Sequence, residues 1–180
     1  MRRIGPQNAN PTMIGKTAIF FLMLTVIVLF GTLGVVFLAT PELKARPFEV
    51  PASFFLNTVF LIISSVLLHM GWSRRAELSG KKFITGSLLA GCVFLVMQAF
   101  AWYALYSSGI TLAGKNPKMS YLYVLSGLHA AHLISGLFFI YYVLHGYEKP
   151  KPRKYLEIAV YFWHFLGVLW IYLLVLMLVA

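Results

Sequence analysis

Charge is what this sequence has least of. Of 180 residues only 11% are Asp, Glu, Lys or Arg, and just five are acidic, too few to clothe a single core in a water-facing surface. Cysteine is nearly absent as well. With Cys92 alone, no intrachain disulfide can form, and cysteine usage says nothing about redox compartment. Also missing is the alternation of apolar and polar residues in segments of about ten that marks a transmembrane strand; Ala18 to Leu24 and Leu173 to Val179 show none of it. There is no internal repeat, which disfavours a small transporter built from duplicated halves.

What the sequence has instead is length without charge. Hydrophobic residues make up 60% of the chain and the mean hydropathy is +0.81. Five stretches carry no Asp, Glu, Lys or Arg: Thr17 to Pro41, Val50 to Ser73, Phe83 to Gly114, Met119 to Tyr147, and Ile158 to Ala180. Each exceeds the ~20 residues a helix needs to cross about 30 Å of hydrocarbon, and a helix satisfies its own backbone in lipid. The expected fold is therefore all-α: a single polytopic membrane domain with five transmembrane helices at about 15–40, 52–73, 83–107, 119–146 and 155–179. The first run follows Arg2 and Arg3, as a secretory signal would. It is too long for one and no small-residue cleavage site follows, so it reads as a retained helix.

The basic residues fall into alternate loops. Eleven lie on one side: Arg2, Arg3 and Lys16, then Arg74, Arg75, Lys81 and Lys82, then Lys149, Lys151, Arg153 and Lys154; Lys44, Arg46, Lys115 and Lys118 lie on the other. The positive-inside rule then places the N-terminus on the cytoplasmic or matrix side and Ala180 outside; a bacterial plasma membrane is the expected location, in preference to a mitochondrial inner membrane. The same distribution argues against nucleic acid as a partner, because the net charge of +10 forms no continuous patch.

Polar groups inside the spans are the first candidates for function. His129 and His132 share a face of the fourth helix, continued by Gly136, and a neighbouring small-residue row, Gly127, Ala131 and Ser135, suits close helix approach. On the fifth helix Glu157, Tyr161, His164 and Val168 define one stripe. At 1.5 Å per residue His132 lies roughly 18 Å from the outer end of its helix and His164 roughly 13 Å from the inner end of its own. Their depths nearly coincide, so the two imidazoles are expected to meet. The expected structural polar network is His129, His132, His164, Glu157 and Gln98, joined by interhelical hydrogen bonds. Haem or metal ligation is the rival reading, but no cysteine or carboxylate cluster accompanies these histidines, so no metal site and no catalytic residue is assigned.

Three blocks carry a resemblance. The approach to the second helix reads Phe48-Glu49-Val50-Pro51 and then Leu56-Asn57-Thr58. The fourth helix reads Tyr123-Val124-Leu125-Ser126-Gly127-Leu128-His129-Ala130-Ala131-His132. The fifth reads Glu157, then Tyr161-Phe162-Trp163-His164-Phe165, then Val168-Leu169-Trp170. In order and spacing they resemble subunit III of the haem-copper respiratory oxidases (cytochrome c oxidase subunit 3) in its short five-helix form, from about Pro47 onward. The buried Glu typical of that family's first shared helix has no counterpart near Thr25 and Val26, the Asp after Trp-His-Phe is replaced near Gly167, and the acidic residue after the helix-three Gln falls on Ala101.

The resemblance implies a non-catalytic support subunit that packs on subunits I and II of a proton-pumping terminal oxidase, holds phospholipid, and carries no cofactor itself, haem and copper residing in the partners. Contact with other respiratory complexes is a further implication. The alternatives are subunit III of a quinol oxidase, a nitric oxide reductase-associated homologue, or an independent histidine-ligated membrane cytochrome. Basic residues beside aromatic rings at the inner helix ends suit anionic headgroups, by about 1 kcal/mol per charge, so His69, Trp72, Arg74, Arg75, Lys154 and Tyr155 are the candidate lipid-binding residues.

The charge pattern makes the first testable statement. Single cysteines introduced at Lys115 and at Lys154 will label from opposite faces of the membrane, because one helix separates them; labelling of both from the same face would overturn the assigned topology.

Overall fold

The computed structural model describes residues 11–39, 52–109, 117–147 and 155–179. Among them are five helices long and apolar enough to cross a membrane: α1 (Pro11–Ala39), α2 (Ala52–Ser73), α3 (Leu78–Ser107), α4 (Pro117–His145) and α5 (Leu156–Val179). The all-α architecture expected from the sequence is the one observed. α3 starts ahead of its charge-free run, taking in Lys81 and Lys82, because interfacial lysines tolerate the first helical turns.

Local chemistry sets the ends. α1 and α4 open on proline, whose missing N–H is one that no helix satisfies in its first turn. α3 stops where Gly109 takes φ +80° and donates to the Tyr106 carbonyl at 3.0 Å, a backbone state open to glycine. Between α2 and α3 the chain reverses in a tight turn: the Glu77 N–H donates to the Arg74 carbonyl at 2.9 Å, and the Tyr147 hydroxyl at the end of α4 reaches the carbonyls of Arg75 at 3.0 Å and Glu77 at 3.3 Å. A side chain at Gly80 would meet that hydroxyl and lie 2.6 Å from the Arg74 carbonyl oxygen. The absence of a Cβ at Gly80 is what lets the turn close.

Packing follows a seven-residue repeat. The buried residues of α2 are Phe54, Asn57, Leu61, Ser64, Leu68 and Gly71, and those of α3 are Gly80, Ile84, Ser87, Gly91, Phe94, Gln98, Ala101 and Leu105. Steps alternate between three and four in both, the pattern of two helices wound along one seam. α2, α3, α4 and α5 close a ring in which each touches the next, and α1 lies outside it against α4 and α5. Many leucines, valines and phenylalanines elsewhere are exposed, as helices solvated by lipid require.

α5 enters the ring through tryptophan. Trp163 is buried and lies where a Cβ on Gly91 of α3 would be 3.0 Å from its ring, and one on Gly136 of α4 3.1 Å. The small-residue row expected to admit a neighbour does not do so. Ala131 and Ser135 are exposed, and nothing approaches within 4 Å of a Cβ on Gly127. The close approach occurs one row away at Gly136, on the face shared with His129.

That contrast is measurable. Gly91→Ala overpacks Leu137 and Trp163 and will lower stability in detergent unfolding by ~1–3 kcal/mol, whereas Gly127→Ala meets no neighbour and gains up to ~1 kcal/mol of helix propensity. Equal losses in both variants would remove Trp163 as the keystone of the ring.

Candidate functional site

The buried polar groups form pairs between helices, not a single cluster. Asn57 Nδ2 on α2 donates to Gln98 Oε1 on α3 at 3.0 Å, both residues being fully buried. Seven residues on, Ser64 Oγ donates to the Ser87 carbonyl at 2.8 Å, lies 3.1 Å from Ser87 Oγ, and accepts from Trp163 Nε1 at 3.1 Å. Three helices therefore meet on one hydroxyl. Trp170, two turns along α5, donates to Thr58 Oγ1 at 3.0 Å. Trp102 of α3 donates at 3.0 Å to Ser126 of α4, whose hydroxyl donates to the Leu122 carbonyl at 2.6 Å.

The histidines do not converge. His129 is completely buried, its ring stacked 5.1 Å from Trp170 and edge-on to Phe94 at 6.4 Å. Neither ring nitrogen has a hydrogen-bond partner among the described residues, so the interhelical bond expected of it is replaced by aromatic stacking. His132 turns to its own helix: Nδ1 lies 2.7 Å from the Leu128 carbonyl, which makes it the protonated nitrogen, and the ring meets Phe30 of α1 at 5.8 Å. His164 faces α2, with its ring 5.7 Å from that of His69. The expected meeting of His132 and His164 fails because equal depth does not fix azimuth; they open onto different neighbours. Among the described residues no group of three or more His, Cys, Asp or Glu is gathered at one point.

Glu157 also stands apart from the histidines. It pairs with Lys16 of α1 at 3.0 Å in a partly exposed contact, worth at most about 1 kcal/mol. The stripe it heads is divided, with Tyr161 and Val168 exposed and His164 facing α2. Of the expected network, only Gln98 makes an interhelical hydrogen bond inside the ring.

The candidate lipid residues divide into separate patches. His69 meets Trp72 edge-on at 5.5 Å, and the Arg75 guanidinium lies 5.4 Å over the Trp72 ring while donating to the Trp72 carbonyl at 3.1 Å. Arg74 covers Phe83 at 5.0 Å. Tyr155 belongs to the α1 side, 3.5 Å from where a Cβ on Gly15 would be. Lys154 lies outside the described residues. A groove of about 380 Å³ runs between α2 and α5, lined by His69, Ser65, His164 and Gly167 among largely apolar side chains.

Sequence reasoning passed over Asn57, Ser64, Ser87, Thr58 and Ser126 as functional positions. The signal was present: Asn57 and Ser64 recur at seven residues on α2, Ser87 and Gln98 fall on the apolar seam of α3, and a polar residue at such a position fixes register.

Comparison with known proteins matches residues 16–179 to the family model described as cytochrome c oxidase subunit III. Curated relatives include the cytochrome c oxidase subunit 3 of Corynebacterium diphtheriae, 31% identical over 63% of this chain and 58% of the relative. That of Synechocystis is 32% identical over 67% and 54%, and a probable subunit 3 of Rickettsia conorii is 27% identical over 74% and 48%. The chain spans about half the length of the curated relatives it matches.

His129 supplies the test of this geometry. A polar ring buried without a partner destabilises, so His129→Leu, close in volume and free of polar atoms, will be at least as stable as the parent, while His129→Ala opens a cavity and loses on the order of 2 kcal/mol or more. Thermal unfolding in detergent decides; a Leu variant as damaged as the Ala variant would mean the imidazole is hydrogen-bonded after all.

Proposed function

The chain belongs to the cytochrome c oxidase subunit III family, and from that premise we propose that it is the non-catalytic support subunit of a terminal oxidase that reduces dioxygen to water and moves protons outward. In this reading it packs on subunit I beside subunit II, and haem and copper are held by those partners. The observation that carries the proposal is a family match running through all five helices. The geometry supports it. Asn57, Gln98, Ser64, Ser87 and Ser126 hydrogen-bond between helices and serve cohesion, and His129, His132 and His164 point to three different surroundings, where an independent histidine-ligated cytochrome would need them to converge. In this reading the membrane is the bacterial plasma membrane, and the loop charges favour a cytoplasmic N-terminus.

We further propose that anionic phospholipid binds at the inner rim, the headgroup on Arg75 and Arg74 with Lys154 contributing charge, and the chains against the apolar helix faces beyond Trp72. Arg75 stacks on Trp72 and Arg74 on Phe83, which holds their charges beside the hydrocarbon boundary and cuts the entropy lost on binding. His69 and Tyr155 are left at the edges of this site.

Mild-detergent purification of the native complex tests both parts. The chain will copurify with a catalytic subunit containing haem and copper, and a His129→Ala variant will leave the spectrum of any complex that forms unchanged. A haem iron partner without copper would move the chain to a nitric oxide reductase-type assembly, and quinol-only turnover to a quinol oxidase. Arg75→Gln will reduce the phospholipid retained per complex; equal retention would refute the rim site.

A further inference from the structure

Helix packing leaves two features of the α2–α5 face unused: an open groove of about 380 Å³, and two imidazoles that border it. Apolar side chains make up most of the lining, which on α2 runs from Thr58 to Met70. Those two residues are separated by about 18 Å of helix rise, a little over half of the ~30 Å hydrocarbon core. The groove thus extends over roughly one leaflet, the depth along which a single acyl chain lies. Gly167 forms part of its floor, where a Cβ would stand 3.5 Å from Ser65 Oγ. Any longer side chain at that position would grow into the groove.

The polar groups gather towards the rim. His69 is exposed and His164 half-buried, with ring centroids 5.7 Å apart, and neither has a hydrogen-bond partner among the described residues. A chain of contacts then leads outward: His69 meets Trp72 edge-on at 5.5 Å, and the Arg75 guanidinium lies 5.4 Å over the Trp72 ring. Groove and arginine are therefore continuous. His69 stands four residues inside the end of α2 at Ser73, about 6 Å of rise, and the interfacial layer on each side of the hydrocarbon core is roughly 5–8 Å thick. With a phosphate held at Arg75, an imidazole at this depth lies where the ester groups of a phospholipid join headgroup to chains.

We propose that the α2–α5 groove seats one acyl chain of a diacyl glycerophospholipid and that His69 and His164 donate hydrogen bonds to its ester carbonyls. The inference rests on the rim reading for the phosphate and adds to it the seat of the chain and the linkage that is recognised. A neutral imidazole carries one N–H donor, so two rings match the two ester carbonyls of a diacyl lipid. An ether-linked lipid of the same headgroup and chain length has no carbonyl to offer them.

That difference is the test. The complex is purified in mild detergent, stripped of loosely held lipid, and offered an equimolar mixture of diester phosphatidylglycerol and its diether counterpart, with bound lipid counted by native mass spectrometry. Gly167→Leu will lose one lipid per chain, because its side chain fills the groove. The site so defined will favour ester over ether lipid about fivefold in the parent, the order expected of one or two net hydrogen bonds. His69→Phe and His164→Phe, which keep the ring contacts, will abolish the preference while still binding ether lipid as the parent does. Arg75→Gln will weaken both lipids alike. Should His164→Phe fail to assemble, His69→Phe decides alone, because its ring is exposed. Equal binding of the two lipids by the parent, an unchanged preference in His69→Phe, or full retention in Gly167→Leu overturns the inference, and lipid loss in Arg75→Gln alongside any of these leaves the rim reading standing. A histidine-dependent ester preference with Arg75→Gln indistinguishable from the parent supports the groove and refutes the rim headgroup.

Discussion

The α2–α3 seam is the constraint on which the rest of this membrane protein depends. In lipid the apolar side chains of two helices gain nothing from leaving water, so association rests on shape and on interhelical hydrogen bonds. Along the seam, leucine, isoleucine and phenylalanine fill the repeat while Asn57 meets Gln98 and Ser64 meets Ser87. Apolar residues at those steps are interchangeable to within a modest packing cost; the polar ones are not. Sliding α3 by one turn would strand Gln98 and Ser87 against hydrocarbon, at the cost of an unmade hydrogen bond for each. Register is therefore written in four polar side chains, and the short turn fastened by Tyr147 makes the same choice from the other end.

α5 reads that register. Trp163 donates to the Ser64 hydroxyl that already joins α2 to α3, and Trp170, seven residues later, donates to Thr58 while stacking on Phe54 and His129. The two indoles, seven residues apart on α5, engage Ser64 and Thr58, six apart on α2, so both bonds form only when the helices are aligned. The Trp163 ring enters the centre because glycine stands opposite it at positions 91 and 136. His129 is the cost of this arrangement: its ring completes the aromatic stack, and its two nitrogens find no donor or acceptor among the described residues. A stacked heteroaromatic ring recovers part of that loss through its contact with Trp170.

How much of this the sequence disclosed depended on whether depth or azimuth was being asked for. Five long runs without charge gave the helices, because the length of a hydrocarbon core is a one-dimensional requirement. The neighbours of a residue are a rotational question, and a helix surrounded by lipid is apolar all round, so the usual contrast between a wet and a dry face is missing. For this reason Glu157, Tyr161, His164 and Val168 read as one stripe although Tyr161 and Val168 point outward and His164 faces α2, and His132 and His164 shared a depth without sharing a neighbour. Gln98 was recognised as packing glue, yet Asn57, quoted in the Leu-Asn-Thr block, was not seen as its partner. Only the three-four alternation of polar positions across α2 and α3 carries that azimuth.

Cohesion and outside chemistry are thus segregated. Within the ring, the hydroxyls of Ser64 and Ser126, the indoles of Trp102, Trp163 and Trp170 and the Asn57 amide nitrogen donate to a neighbouring helix or to the chain's own backbone, while Gln98 Nε2 and the His129 nitrogens have no partner among the described residues. At the rim the groups keep unused capacity: the guanidinium groups of Arg74 and Arg75 lie on aromatic faces with donors to spare, and His69 and His164 face each other across an open groove. α1 extends the same division. It joins α4 and α5 through Phe30, Phe37 and the Lys16–Glu157 pair, while much of the rest of its surface presents aliphatic and phenylalanine side chains outward. Such a face is equally solvated by lipid tails or by another transmembrane helix, and exchanging one for the other changes little in apolar free energy. In the proposed support role, attachment to a larger complex therefore has to be made specific by the polar rim and by steric fit, features that the contacts of the interior leave free to vary.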